Sequence, residues 1–185
     1  MPIGEAKNVL MDKKTSERAI NRIAYEIAER NKGVGDLAMI GIQKNGVNLA
    51  REIAKSVLEI EGVSLPVGSL DITFYRDDLT RLNEHPVIMG SDIGFAIEDK
   101  KIILVDDVLF TGRTIRAAIE ELFDMGRPAK IELAVLIDRG NRELPIAADY
   151  TGRYVPTSKD EYIYTEILEN GEIGAVTIHN REVEE

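Results

Sequence analysis

Apolar residues follow two rhythms along the chain, and the alternation between them divides it into strand–loop–helix units. Ala19, Ile20, Ile23, Ala24, Ile27 and Ala28 share one stripe of a helix that Thr15 or Ser16 can cap and that ends at Gly33. Arg18 and Arg22 lie four apart on a different, exposed face. Leu37 to Ile42 is an unbroken apolar run, as expected of a strand covered on both sides. After Gln43-Lys44-Asn45-Gly46, the helical spacing returns with Val47, Leu49, Ala50, Ile53, Ala54, Val57 and Leu58. Val67 to Tyr75 predicts a third strand, with Leu70, Ile72 and Phe74 alternating against Ser69, Asp71 and Thr73.

A second strand–loop–helix unit follows. Ile102 to Val105 are four aliphatic residues that stop at Asp106 and Asp107; from about Thr114 the apolar spacing becomes Ile115, Ala118, Ile119 and Leu122, ended by Gly126 and Pro128. Lys130 to Ile137 supplies another strand, and 138–150 has little periodicity. Tyr162 to Leu168 and Ile173 to Ile178 form a hairpin across Asn170-Gly171. Strands alternating with helices predict an α/β fold with a mostly parallel central sheet flanked by helices, closed by a C-terminal β-hairpin. The 185 residues are read as one domain. The polar run Arg76 to Pro86 is too long for an ordinary connection and reads as a lid.

The chemistry gathers where strands give way to helices. A loop at the carboxyl end of a strand and the amino end of a helix has free N–H groups and a favourable dipole, so it holds anions. In Val108-Leu109-Phe110-Thr111-Gly112-Arg113-Thr114, Gly112 allows close backbone approach and the threonine hydroxyls can donate to phosphate oxygens. The loop has neither the Walker spacing nor a dinucleotide fingerprint. Two carboxylates directly before an anion site repel the ligand unless they face sugar hydroxyls or a divalent cation, and a phosphorylated ribose offers both.

Composition narrows the picture. No cysteine excludes disulfides and thiolate metal sites, and no apolar run reaches membrane length. Met1 to Ser16 lacks the apolar core of a signal peptide, which points to the cytoplasm. A net charge of −10 argues against charge-driven nucleic-acid binding in general, though not against a local basic face.

The stretch Ile102 to Thr114 resembles the phosphoribosyl-pyrophosphate (PRPP) motif of the type I phosphoribosyltransferases. That resemblance implies their fold, including a hood segment over the base. It places Asp106 and Asp107 on the ribose hydroxyls as the catalytic acids, and Val108 to Thr114 on the 5′-phosphate. Lys44, Asn45 and Gly46 fall in the pyrophosphate loop, with Arg76 reaching in from the lid. Mg²⁺ enters mainly through PRPP, and no direct side-chain metal ligand is assigned.

Asp71 to Leu79, Thr111 to Ala118 and Ile137 to Tyr150 resemble, more specifically, the bacterial pyrimidine-operon attenuation proteins that are also uracil phosphoribosyltransferases. Membership implies transfer of phosphoribosyl to uracil, giving UMP and pyrophosphate, and binding of pyrimidine-operon leader mRNA when UMP or UTP is present. It also implies a homo-oligomer, and base contacts from Arg139 and the strand near Ile163. Arg18, Arg22, Asn141, Arg142 and Arg153 are the corresponding RNA-facing residues, with Lys159 extending the patch. The chain departs from this family at Lys44-Asn45, where Thr-Arg is common, at Asn141, where His is common, and at Ala147, where Arg is common. The other reading is a plain phosphoribosyltransferase for uracil or a purine base with no RNA role. His85 and His179 are read as surface residues.

Overall fold

A computed structural model describes residues 6–73 and 90–180. The elements in chain order are β1 (Asn8–Met11), α1 (Lys13–Asn31), β2 (Leu37–Ile42), α2 (Asn45–Glu61), β3 (Val67–Leu70), β4 (Lys101–Leu109), α3 (Arg113–Met125), β5 (Lys130–Asp138), β6 (Tyr150–Tyr154), β7 (Glu161–Ile167) and β8 (Ile173–Asn180). The long polar run with Arg76, and His85, lie outside the described residues.

Five strands form a parallel sheet in the order β3-β2-β4-β5-β6. The unbroken apolar runs have a direct cause, because each central strand is covered on both faces. Ile103 and Val105 of β4 and Ala134 and Leu136 of β5 pack with α1 and α2, while Ile102, Leu104, Leu133 and Val135 pack with α3. At about 25 cal/mol per Å² of apolar area buried, this two-sided burial is the dominant stabilising term.

A second sheet, antiparallel in the order β1-β8-β7, forms the hood. Its Ile173 and Val176 are buried in the same core as α1 and α2, with Ile163 and Ile167 packed against it. The hood sheet is therefore built from an early strand, β1, together with the late strands β7 and β8.

Several element ends differ from the sequence expectation. Asp12, rather than Thr15 or Ser16, caps α1: its carboxylate accepts from the Thr15 N–H at 2.8 Å, while Ser16 is buried. Among the described residues the third strand spans Val67–Leu70, the expected Phe74 and Tyr75 lying outside them; beyond Leu70 the Asp71 carboxylate accepts from the Thr73 and Gly90 amides, a local polar arrangement that replaces ladder pairing. Strand β4 does not stop at the acids but continues through Asp106 and Asp107 to Leu109, paired with β5. The short strands β1 and β6 carried too few alternating positions to stand out.

Candidate active site

Two loops meet at the carboxyl edge of the parallel sheet. The first joins β2 to α2, and the second joins β4 to α3; β2 and β4 are direct neighbours, with Gly41 opposite Val105. Gly46 explains how closely the loops approach. A Cβ there would overlap the Val105 carbonyl oxygen, so only glycine lets the start of α2 rest on the end of β4. Gly41 is equally confined, by the backbone of Gly46 and Val47. The Gln43–Lys44 peptide in this turn is cis.

The loops are also joined by side chains: Asn45 Nδ2 donates to Asp107 Oδ2 at 2.9 Å. Asp106 is buried, and its Oδ1 accepts from the Asp107 amide at 3.0 Å. Burial, and then the adjacent charge of Asp107, push the Asp106 carboxyl well above the usual carboxylate range. A pair of acids held under such electrostatic load fits a site that receives hydroxyl donors and a cation.

The second loop is an anion cradle by construction. Gly112 has φ of 92° at the N-cap of α3, a left-handed conformation that favours glycine. Gly112 has no side chain to cap that helix end; Thr111 Oγ1 accepts from the Arg113 amide at 3.3 Å, so the threonine hydroxyl sits at the amide cluster that opens α3. From outside, residues 138–146 wrap this loop: the Glu143 and Leu144 amides donate to the Thr111 carbonyl, and the Arg139 amide donates to the Leu109 carbonyl. Arg113 itself points outward into an ion pair with Glu143 at 2.7 Å.

Arg139 is 3% exposed. Its guanidinium donates to Thr157 Oγ1 and to the Ser158 and Glu161 carbonyls, and lies over the Phe110 ring. It thus links the β4–α3 loop to the start of β7, the strand that carries Ile163. Sequence reasoning gave no sign of this bridge, because two of its partners are backbone carbonyls and the others lie far away in the chain.

The residues expected to meet RNA are dispersed. Arg18 and Arg22 are exposed on α1, where Arg22 pairs with Glu26 at 2.9 Å and reaches the Thr151 and Gly152 carbonyls of β6. Arg153 of β6 donates to the Leu10 carbonyl, and Asn141 donates to the Thr157 carbonyl at 2.8 Å. Arg142 is turned inward, donating to the Phe110, Gly140 and Ile146 carbonyls and pairing with Asp138. His179 corrects its expectation: it is 3% exposed on β8 and stacks on Tyr162 with ring centroids 5.1 Å apart.

A parallel sheet with a hood, two neighbouring anion loops and an acid pair between them defines a type I phosphoribosyltransferase. The phosphoribosyl transferase domain model matches residues 8–162. The chain is 57% identical over 176 residues to the bifunctional protein PyrR of Acetivibrio thermocellus, covering 95% of this chain and 96% of that one. It is 61% identical over 155 residues to that of Caldicellulosiruptor bescii, with 84% and 85% covered. Among solved structures, a hypoxanthine phosphoribosyltransferase of Trypanosoma cruzi superposes with a TM-score of 0.70 at 18% identity, covering 96% of this chain and 98% of that one, a likeness of fold alone. The chain belongs to the PyrR family of phosphoribosyltransferases. No helix among the described residues is long and apolar enough to cross a membrane.

Proposed function

We propose that this chain transfers the phosphoribosyl group of PRPP to uracil, releasing pyrophosphate and forming UMP, and that with UMP or UTP bound it regulates pyrimidine biosynthesis by binding leader mRNA. The observation that carries the reading is the joining of the two anion loops by Asn45 and Asp107, in a chain of this family.

In this reading the 5′-phosphate lies against the amides of 108–114, including Val108, Leu109, Phe110, Thr111, Gly112, Arg113 and Thr114. Asp106 and Asp107 accept from the ribose hydroxyls. Lys44, Asn45, Gly46 and Arg76 border the pyrophosphate, and the base lies beneath the hood near Ile163, with Arg139 holding that hood in place. Displacement at the anomeric carbon develops positive charge on the ribose, so positioning and the two nearby carboxylates do most of the catalysis, and no side-chain nucleophile is required. Mg²⁺ would enter with PRPP, near Asp106 and Asp107 but held mainly by the substrate, and when bound would supply charge neutralisation for the leaving pyrophosphate.

Exposed Arg18 and Arg22 of α1 and Arg153 of β6 are the cations that would meet RNA phosphates, Arg22 and Arg153 exchanging their present carbonyl partners to do so. Asn141 and Arg142 act there mainly by shaping the segment between those cations and the phosphate loop. The full chain works as one domain, in the cytoplasm, as a homo-oligomer. The internal commitments of Arg142, and Ala147 in place of a cation, favour one rival, a phosphoribosyltransferase without an RNA role. A gel shift with a pyrimidine leader RNA separates the two. Retardation that strengthens with UMP and weakens with salt supports regulation, and its absence alongside intact uracil transfer supports the rival.

A further inference from the structure

We infer that Asn45 is a positioning residue for phosphoribosyl transfer, its side-chain amide holding the Asp107 carboxylate toward the ribose. This rests on the phosphoribosyltransferase reading above. The two residues are 62 positions apart in sequence, yet the amide donates to Asp107 Oδ2 at 2.9 Å. The bond is backed by close backbone approach: Asn45 opens α2, and the next residue, Gly46, lies so near Val105 and Asp106 that a Cβ there would overlap the Val105 carbonyl oxygen.

The kind of donor matters. An amide orients a carboxylate but leaves its charge and its remaining lone pairs in place, whereas a guanidinium would form an ion pair and compete with the ribose. Asp106, buried behind and bonded to the Asp107 amide, closes the other side of the arrangement. Asp107 is thus fixed from the pyrophosphate loop, so that the sugar and leaving-group halves of the site move as one unit.

The test is a double-mutant cycle of Asn45→Ala and Asp107→Asn in the full-length protein, read as kcat/KM for PRPP in uracil transfer and as PRPP affinity with Mg²⁺ by calorimetry. Asn45→Ala alone is expected to lower kcat/KM about tenfold, as for loss of a hydrogen bond to a charged group. In the Asp107→Asn background the same change is expected to cost less than about twofold, because its effect passes through that carboxylate. Asn45→Asp, of the same size, is expected to lose activity relative to wild type as pH rises, since two touching carboxylates cannot both ionise. Equal losses in both backgrounds, or an Asn45→Asp profile parallel to wild type, would overturn the inference. A wild-type protein that binds PRPP but transfers it to no base would overturn the enzyme reading instead, and the cycle would then be decided by PRPP affinity.

Discussion

The guanidinium of Arg139 lies 4.0 Å from the centroid of the Phe110 ring, so the β4–α3 loop and the start of β7 share one buried cation. The same group donates to Thr157, Ser158 and Glu161. Arg139→Ala removes all of these donors. It is expected to destabilise the fold by about 3 kcal/mol, as for breaking a buried charged network. Thermal unfolding checks the stability, and calorimetry with UMP is expected to show weaker binding than wild type under conditions where both are folded.

Gly46→Ala should separate stability from function. The added Cβ overlaps the Val105 carbonyl, so α2 must shift away from β4 and carry Asn45 from Asp107. Strain of this kind costs about 1–3 kcal/mol, but the expected loss in PRPP affinity is larger, because both loops separate. Paired denaturation and PRPP titrations check it.

Asp106 makes stability depend on pH in a definite direction. Burial, then Asp107, raise its folded-state pKa above the unfolded value. The folded protein therefore retains a proton that the unfolded chain releases, and stability falls as pH climbs out of the ordinary carboxylate range toward the folded value. Asp106→Asn removes this dependence. It is expected to gain about 1 kcal/mol near neutral pH over wild type, by relief of a buried charge, while turnover with PRPP falls. Urea unfolding as a function of pH measures the first effect.

Glu132 gives the opposite sign. Burial pulls its carboxyl up, but hydrogen bonds from Lys130, Tyr150 and Asn31 outweigh that and hold it below the usual range. Its contribution is present above the ordinary carboxylate pKa and is lost as pH falls through the lowered folded value. The Tyr150 hydroxyl donates to Glu132 Oε2 at 2.6 Å. Tyr150→Phe is expected to cost about 2 kcal/mol near neutral pH, and less in acid, when followed by unfolding across that range.

Much of this arrangement was legible because two-sided burial writes itself as unbroken aliphatic runs. Ile102 to Val105 revealed a central strand, and the acids and Thr-Gly turn after it pointed to the site proposed at its carboxyl end. The approach of Gly46 to Val105 was not legible, since a glycine in a polar turn looks the same whether or not another backbone lies against it. Arg139 and Arg142 were read as ligand-facing cations, yet both guanidiniums are engaged with backbone carbonyls that leave no side-chain pattern. His179 illustrates the same gap: a lone histidine near the chain end looked solvated, but pairing of β7 with β8 places it under Tyr162.

The most direct measurement is pyrophosphate release from PRPP and Mg²⁺ with uracil, hypoxanthine, guanine or orotate as acceptor, for wild type and Asp107→Asn. Turnover with uracil alone, strongly reduced in the variant, is the expected result. Turnover with a purine and not with uracil would contradict the substrate, and activity unaffected by Asp107→Asn would contradict the role given to the acid pair.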